Sequence, residues 1–472
     1  MTTILCKQGY LIPIVKELKN LINVIKNELI VEPFSPYNFS FLKKEDKSFI
    51  IYKEITLSKI ELENLLDNLE IETYNYLLVP KYYGLNKIGK PTINKENNGI
   101  NINITFTGSL RDHQNDIINN IIPHIDNNDG GVLCLPCAAG KTVLSLYLIS
   151  HYKVKTLVIV HKTFLLEQWK ERAKQFTDAK IGILQQNKID IKDKDIVIGM
   201  LQSIAKDKYD HDIFKEFGMV IFDEAHHAPS QYFSKALPLI TCKLTIGLSA
   251  TPKRTDKLEK ILYWYFGDIM YKTDEPVSNN VVLVNIINYS IEHPKFIELK
   301  LYTGDVNRAG TINKITTIGR RNKLIIDKIE EILKESEQRK IIVLSDRIEH
   351  LKLLKLRLDT RNLVTSSFYI GGMKQNLLTE SEKAQVIFAS YAMASEALDI
   401  PDLNTLFMVT SRKEVEQSVG RILRKIDPNT RPIIYDFIDQ LPSFINQSKV
   451  RKRFYNKMGF EINSIEINDN NM

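Results

Sequence analysis

The chain of 472 residues is 43% hydrophobic and 26% charged, which excludes a disordered or low-complexity protein and predicts roughly two to four folded domains. It has no run of about 18 apolar residues and no clear secretory signal, so neither a membrane span nor secretion is expected. Four scattered cysteines cannot form a disulfide framework and fit a reducing compartment. The net charge of +7 permits a polyanionic partner without requiring one.

Residues 1–100 contain short apolar runs broken by polar clusters, and they predict a small mixed α/β domain. From about residue 131 the pattern becomes regular, because short runs rich in Val and Ile alternate with longer amphipathic stretches. Buried parallel strands joined by crossover helices produce this alternation. The candidate strands form two series: 131–136, 156–160, 195–200, 219–223 and 244–249, and then 340–345, 385–389, 405–410 and 432–437.

The two series predict two tandem α/β units, each built on a parallel sheet. The sequence between them contains one strand-like run and then polar, helix-compatible residues, which places the boundary near 280–290. We therefore expect domains at 101–285 and 286–445, followed by a tail, 446–472, whose end is frayed.

The segment GVLCLPCAAGKTVLS, residues 131–145, has the order strand, small-residue turn, Lys-Thr and apolar helix. This order is typical of a phosphate-binding loop, in which backbone N–H groups and the helix N-terminus face a phosphate. Lys141 would neutralise the phosphate charge, and the Thr142 hydroxyl could bind Mg²⁺. The general pattern has glycine where this chain has Leu135. The predicted nucleotide-binding residues of the loop are Pro136, Cys137, Ala138, Ala139, Gly140, Lys141 and Thr142.

The same segment contains a C-x-x-C pair, Cys134 and Cys137, which could hold a metal or shuttle a disulfide. That chemistry needs an exposed thiol of low pKa or two further ligands nearby. Cys134 lies inside an apolar strand and the chain has no second C-x-x-C, so this alternative is disfavoured. His226 and His227 could also suggest a metal, but adjacent helical residues point in different directions.

The segment VIFDEAHH, residues 220–227, is an apolar strand that ends in two acidic residues. In a parallel sheet the carboxyl end of this strand lies at the same edge as the phosphate loop. Asp223 would hold Mg²⁺ and Glu224 would polarise the attacking water. Two solvated acids at a helix start are the alternative, and they are disfavoured because the pair closes a hydrophobic strand downstream of a GKT.

Eight segments follow one another along the chain: LRDHQ (110–114), LPCAAGKT (135–142), VHKTFLLEQW (160–169), GMLQS (199–203), FDEAHH (222–227), LSATPKR (248–254), YAMASEALDI (391–400) and QSVGRILR (417–424). In this order they resemble a superfamily 2 helicase of the DEAH-box type, most similar to the XPB-like and restriction-motor-like branch of large DNA viruses and phages. The resemblance covers about residues 105–440 and implies two tandem RecA-like domains, 101–285 being the ATP-binding domain and 286–445 the C-terminal domain.

In the first unit the resemblance implies that Gln114, with Arg111, reads adenine, while Lys141 and Thr142 contact the triphosphate and Mg²⁺. It makes Asp223 the Mg²⁺ partner and Glu224 the catalytic base. The resemblance also implies roles for two further sets of residues. Ser249 and Thr251 would couple the nucleotide state to movement of the second unit, and the nucleic-acid backbone would meet His161, Lys162, Gln168, Trp169, Gln202 and Ser203. For Trp169, burial in the helix packing is favoured over such contact.

In the second unit Arg421 and Arg424 lie three residues apart and so on one helical face. A solvated helix face is the usual reason for such a pair, but the resemblance makes them arginine fingers with Gln417 one turn earlier. A guanidinium at the γ-phosphate stabilises charge that develops during phosphoryl transfer. The resemblance also places Ser345, Arg347 and Ser390 at a second backbone grip, and Glu396 and Asp399 near the ribose.

Two positions depart from the branch, which usually has glycine where this chain has Ala138 and Ala397. Alanine adopts positive φ only at a cost, so we expect ordinary backbone dihedrals there rather than reduced turnover.

The predicted function is an ATP-dependent helicase or translocase that uses ATP and Mg²⁺ and acts on DNA. The alternatives are an RNA helicase or transcript-release factor in viral transcription, the motor subunit of a restriction system, and a binding module without catalysis. We expect the partners to include transcription or replication machinery but no membrane. The expected location is inside a host cell, in cytoplasm or nucleus, or in a virion.

Overall fold

The computed structural model describes residues 2–34, 48–57, 75–136, 139–250, 254, 256–273, 282–396, 400, 402–420, 422 and 430–469. The chain divides into two compact units, Met1–Asp274 and Glu275–Met472. The finer division into 1–100, 101–285, 286–445 and 446–472 stays a prediction. Among the described helices, none is both long and apolar enough to cross a bilayer.

The first unit begins with a small mixed sheet, in agreement with the predicted mixed α/β fold. Its described strands have the order β5-β6-β2-β1-β7, antiparallel except for the parallel pair β1–β7. A separate antiparallel pair, β3–β4, lies outside this sheet. The elements are β1 (Ile4–Cys6), β2 (Gly9–Pro13), α1 (Lys19–Glu28), β3 (Ile30–Val31), β4 (Phe49–Ile50), β5 (Lys53–Thr56), β6 (Asn75–Val79), α2 (Lys81–Ile88) and β7 (Ile93–Lys95).

This small sheet is packed against the rest of the first unit. One apolar cluster contains Tyr10 and Ile12 of the small sheet together with Val132 of the larger sheet that follows. The buried Lys81 ammonium pairs with Glu96 at 2.5 Å and donates to the Lys243 carbonyl at 2.9 Å. The N-terminal residues therefore share a core with the larger sheet rather than forming a loosely tethered module.

The larger sheet of the first unit has the order β11-β10-β12-β9-β13-β14-β8-β15. Its strands pair in parallel except at β10–β11, and β9 and β12 are buried along their whole length, as expected when helices cover both faces. The strands are β8 (Gly130–Cys134), β9 (Thr156–Val160), β10 (Ile181–Gln185), β11 (Lys188–Asp190), β12 (Ile196–Met200), β13 (Met219–Phe222), β14 (Leu244–Ser249) and β15 (Ile269–Lys272). The helices are α3 (Asp112–Asn128), α4 (Lys141–Tyr152), α5 (Thr163–Phe176), α6 (Leu201–Ile204), α7 (Leu237–Ile240) and α8 (Glu259–Phe266).

The strand order decides where the predicted motifs meet. The phosphate loop follows β8 and the acidic pair follows β13, and β14 lies between these two strands. Ser249, the last residue of β14, therefore stands between the loop and the carboxylates. The strand order could not be read from the sequence, in which β14 follows both.

The second unit carries a sheet in which the described strands are parallel throughout, with the order β18-β19-β17-β20-β21-β16-β22. The strands are β16 (Leu283–Tyr289), β17 (Ile341–Ser345), β18 (Ser366–Tyr369), β19 (Val386–Ser390), β20 (Thr405–Met408), β21 (Ile433–Asp439) and β22 (Glu461–Ile467). The helices are α9 (Arg308–Ile315), α10 (Gly319–Glu335), α11 (Ile348–Asp359), α12 (Gln375–Ser381), α13 (Tyr391–Glu396), α14 (Glu416–Val419) and α15 (Pro442–Lys457).

Two regular elements follow residue 441, where the sequence predicts a tail, and the last residues of the predicted frayed end, 470–472, lie outside the described ranges. Helix α15 covers the region from residue 442, and β22 pairs in parallel with β16 over seven positions. Asn288 of β16 donates to Ser464 Oγ at 2.8 Å and to Glu466 Oε1 at 2.6 Å. Polar cross-strand contacts thus hold an edge strand whose side chains are largely exposed, which is why its hydrophobic signal is weak.

Candidate active site

The phosphate loop connects β8 to helix α4, and its geometry depends on Gly140. This residue caps α4 with φ of +85°, a conformation that favours glycine. A Cβ atom on Gly140 would lie 2.2 Å from Gln114 Nε2. Both the dihedral angle and the space therefore require glycine at this position, directly before Lys141.

Gln114 connects helix α3 to the loop. Its side chain is buried, Oε1 accepts from the Arg111 N–H at 3.0 Å, and Nε2 donates to the Ala139 carbonyl at 3.2 Å. Oε1 thus caps the start of α3, while Nε2 contacts the loop. The adenine-reading role of Gln114 and Arg111 stays a prediction.

Lys141 is held by the loop that precedes it. Its ammonium donates to the Leu135 carbonyl at 2.9 Å and lies 3.5 Å from the Pro136 carbonyl. Leu135 is fully buried, and its φ lies outside the left-handed region. The leucine therefore fills the core at a position where no special dihedral is needed, which explains why glycine is dispensable there.

The acidic pair lies at the carboxyl end of β13. Asp223 is buried, and its two carboxylate oxygens accept from the Glu224 N–H at 3.0 Å and from the Trp169 indole N–H at 2.8 Å. Burial and the charge of Glu224 raise the pKa of Asp223 to about 6, while Trp169 and the Lys141 ammonium lower it. A buried carboxylate of this kind is suited to a cation, because a bound cation would stabilise its ionised form.

Glu224 has φ of 48°, which places a non-glycine residue in the left-handed region. Its Oε2 is buried and makes no hydrogen bond within the described part of the chain. His226 Nδ1 lies 3.3 Å from this oxygen and 3.3 Å from Ser249 Oγ. Because burial and Arg254 lower the pKa of His226 to about 4, the ring is neutral at neutral pH and the contact is not an ion pair.

The set fits a nucleotide with a divalent cation. The Thr142 hydroxyl at the start of α4 and the Asp223 carboxylate are oxygen donors of the type Mg²⁺ prefers. The Lys141 ammonium supplies charge for phosphates, and the unsatisfied Glu224 oxygen can accept a proton from water. The Cys134 side chain is buried in β8.

Several side chains predicted to touch a nucleic-acid backbone are directed into the first unit instead. His161, Trp169 and Ser203 are buried, and Ser203 Oγ accepts from the Gln186 N–H at 3.0 Å. The packing explanation for Trp169 is confirmed, and its bond to Asp223 is a contact that sequence reasoning missed. The general tendency of a buried indole N–H to find a partner was the available signal. Lys162 is half-exposed at the N-cap of α5.

Two residues of the second unit that were predicted to contact the nucleic-acid backbone also bond within the protein. Ser345 is fully buried. Its Oγ lies 3.0 Å from His350 Nδ1 and accepts from the Arg347 N–H at 3.1 Å. The hydroxyl therefore stabilises the start of α11 rather than facing a ligand. The Arg347 guanidinium donates to Asn313 and to the Ala309 carbonyl.

Other predicted residues are described in part or not at all. The backbones of Gln417 and Glu396 lie in α14 and α13, without a description of their side chains. Their roles, and those of the residues that lie outside the described ranges, stay predictions. The latter are Cys137, Ala138, Thr251, Ala397, Asp399, Arg421 and Arg424.

Two RecA-like sheets of mainly parallel strands, the first with a phosphate loop and an Asp-Glu pair at its carboxyl edge, define an ATP-dependent motor of helicase superfamily 2. Comparisons with known proteins agree. Residues 107–254 match the family model described as "Type III restriction enzyme, res subunit". The chain is 36% identical over 465 residues to "Putative ATP-dependent RNA helicase L396" of Acanthamoeba polyphaga mimivirus, covering 96% of this chain and 85% of that protein.

A second relative, "Probable helicase D10" of Escherichia phage T5, is 28% identical over 333 residues, which cover 68% of this chain and 70% of that protein. Among solved structures, the "ATP-dependent Type ISP restriction-modification enzyme LlaBIII bound to DNA" superposes with a TM-score of 0.53 at 17% identity. That match covers 78% of this chain and 32% of the enzyme, and it shows the fold alone. The chain belongs to the superfamily 2 helicases, and it is an ATP-dependent helicase.

Proposed function

We propose that the chain hydrolyses Mg²⁺-ATP at the carboxyl edge of its first large sheet in order to translocate along or unwind DNA. The observation that carries the proposal is the pair of carboxylates formed by buried Asp223 and half-buried Glu224, with the charge of the Lys141 ammonium acting on Asp223. In hydrolysis, a water oxygen forms a bond to the γ-phosphorus as the bond to the bridging oxygen of ADP breaks. Glu224 accepts the proton that this water loses.

The other residues of the set prepare that step. Lys141 would bind the phosphate oxygens, while Thr142 and Asp223 would hold a cation that offsets the phosphate charge. The backbone N–H groups at the N-terminus of α4 would face the phosphates. Gln417, Arg421 and Arg424 keep their proposed part in stabilising the transferred phosphoryl group, so Arg421→Ala is expected to spare ATP binding and to stop hydrolysis.

DNA is proposed as the substrate because residues 107–254 match a restriction-enzyme subunit family and the fold resembles a restriction motor. The DEAH-box assignment, with its XPB-like branch, rests on the FDEAHH segment and the motif order. The second candidate, an RNA helicase or transcript-release factor, is favoured by the name of the mimivirus relative. Because the relatives are viral, we place the protein inside an infected cell, in cytoplasm or nucleus, or in the virion.

The test measures ATP hydrolysis with single-stranded DNA, duplex DNA and RNA in parallel. We expect DNA to stimulate turnover more than RNA, and stimulation by RNA alone would favour the second candidate. Glu224→Gln should abolish stimulated hydrolysis while ATP still binds. Glu167→Gln, which removes a surface carboxylate 3.3 Å from Lys170, is the matched control and should leave turnover unchanged. Wild-type turnover in Glu224→Gln would overturn the site assignment.

A further inference from the structure

Three histidine rings form a continuous stack in the first unit. His161 follows β9, and His226 and His227 belong to the 3₁₀ turn that follows β13, the neighbouring strand. The ring centroids of His161 and His227 are 4.1 Å apart, and those of His227 and His226 are 4.2 Å apart. Each pair of rings is inclined by 39°. The contact therefore runs without interruption across the carboxyl ends of two strands.

The rings pack as neutral groups. Burial, with the charges of its neighbours, lowers the pKa of His161 to about 3, and the same causes lower the pKa of His227 to about 3. At neutral pH no charge repulsion opposes the stack, and the rings interact through dispersion and their quadrupoles.

Stability alone does not account for the position of His161. Both of its ring nitrogens are buried, and neither has a hydrogen-bond partner within the described residues. Leaving a buried polar atom unsatisfied costs about 1–3 kcal/mol. The ring contact with His227 thus fixes His161 at a site that a nonpolar residue would fill at lower cost, which is typical of a functional constraint.

The inner end of the stack reaches the catalytic base. His226 Nδ1 lies 3.3 Å from Glu224 Oε2, and that oxygen makes no hydrogen bond in the described part of the chain. Glu224 also has the left-handed φ of 48°. Because no described hydrogen bond fixes this oxygen, the position of the Glu224 carboxylate is sensitive to a small displacement of the neighbouring imidazole.

The outer end of the stack belongs to the loop proposed to meet the nucleic-acid backbone. The His161 carbonyl accepts a hydrogen bond from Gln202 Nε2, and the Gln202 carbonyl accepts from the Tyr232 hydroxyl at 3.4 Å. Lys162, the next residue, is half-exposed at the start of α5. A phosphate that engages Lys162 would act on the residue bonded directly to His161.

We infer that the His161–His227–His226 stack couples nucleic-acid engagement at this loop to the position of Glu224, and that His227 is the positioning residue at its centre. The inference rests on the proposed function, because it requires hydrolysis at Glu224, and it also uses the nucleic-acid contact that the family resemblance predicts at Lys162. His161 cannot shift without moving His227, since the two rings are in direct contact. Movement of the His226–His227 turn then moves the imidazole beside Glu224.

The experiment compares His227→Gln, which keeps a polar side chain but loses the ring, with His227→Phe, which keeps a flat ring. ATP turnover is measured without nucleic acid and with saturating oligo(dT) or the RNA of the same length, whichever stimulates the wild type. His227→Gln should lower the ratio of stimulated to basal turnover by roughly 5-fold to 150-fold, the range typical of coupling between two sites. His227→Phe should retain most of the stimulation.

In His227→Gln the Kd for the oligonucleotide, from fluorescence anisotropy, should stay within about twofold of wild type, and basal turnover should fall less than stimulated turnover. A merely structural role would change basal and stimulated turnover together. The control is His211→Ala, which removes an exposed imidazole paired with Asp207 at 2.6 Å. An unchanged ratio in His227→Gln, a loss confined to Kd, or an equal loss in His227→Phe would overturn the inference. If the wild type itself is not stimulated by any nucleic acid, the proposed function fails first.

Discussion

The indole N–H of Trp169 donates a hydrogen bond of 2.8 Å to Asp223 Oδ2, and both side chains are buried. Trp169 lies on the helix after β9, whereas Asp223 directly follows β13, so the bond joins the segments that follow two neighbouring strands. A donor to the carboxylate favours its ionised form and opposes the effect of burial on the pKa. Trp169 therefore helps to keep Asp223, the proposed Mg²⁺ ligand, in its ionised form.

Trp169→Phe keeps a buried aromatic ring and removes the donor. Because a hydrogen bond to a charged group contributes about 1.5–3 kcal/mol, we expect kcat/KM for Mg²⁺-ATP to fall roughly 10-fold to 100-fold. Steady-state hydrolysis over a range of Mg²⁺ concentrations checks this. Trp264→Phe is the matched control, since Trp264 packs edge-to-face on Tyr83 with ring centroids 5.5 Å apart. Equal effects of the two substitutions would contradict the assigned role.

The pKa of Asp223 predicts an acidic limb in the activity profile. With a pKa raised to about 6, Asp223 is protonated below that pH and ionised above it. Mg²⁺ binding must displace the proton, so kcat/KM should fall about tenfold per pH unit below pH 6. Trp169→Phe should move the limb to higher pH, because it removes a donor that lowers the pKa. A limb that stays in place in this variant would show that another group controls it.

Gly140→Ala should disable the phosphate loop. The new Cβ would lie 2.2 Å from Gln114 Nε2, and alanine would have to adopt a φ of +85°. We expect the affinity for a fluorescent ATP analogue to fall roughly 5-fold to 150-fold, because a strained residue of this kind costs on the order of 1–3 kcal/mol. Gly371→Ala is the control, since nothing lies within 4 Å of its added Cβ. Wild-type affinity in Gly140→Ala would show that the loop tolerates rearrangement.

The buried Arg321–Asp439 pair predicts a stability effect in the second unit. Both side chains are 0% exposed, the guanidinium bonds both carboxylate oxygens, at 2.6 Å and 2.9 Å, and Nη2 donates to the Val409 carbonyl at 2.7 Å. Arg321→Met leaves a buried carboxylate unpaired and should lower the free energy of unfolding by about 3–5 kcal/mol. Urea denaturation followed by circular dichroism measures this.

Two comparisons sharpen that prediction. Arg321→Met combined with Asp439→Leu should recover most of the loss, because no charge is then left buried. Arg431→Met breaks the exposed pair with Glu461 and should cost less than about 1 kcal/mol. A loss in the double variant as large as in Arg321→Met would mean that packing, rather than charge, controls stability at this site.

The sequence predicted the central strands well because parallel strands buried on both faces are continuous apolar runs. Predicted 156–160 and 244–249 agree with β9 and β14 to the residue. Strands that are short or half-exposed were missed. Both β18 and β22 alternate in burial or carry many polar residues, so their hydrophobic signal is no stronger than that of a loop.

The candidate site could be predicted only at the level of motifs. The Lys141 loop and the Asp223–Glu224 pair were found because each ends an apolar strand, and strand ends in parallel sheets share an edge. Strand order and side-chain direction determine three other features. These are the hydrogen bond between Trp169 and Asp223, the hydrogen bond from Gln114 to the loop, and the histidine stack. No local pattern encodes these, since they join residues far apart in the chain.

The pairing of β22 with β16 has a practical consequence for anyone who shortens the protein. A chain cut near residue 445 would keep every helicase motif and lose most of α15 and all of β22. The seven-residue β16 would then become the border of the sheet, with its backbone N–H and C=O groups unpaired on one side. Such a border pairs readily with other chains, so we expect the trimmed protein to self-associate and precipitate even though all its motifs are intact.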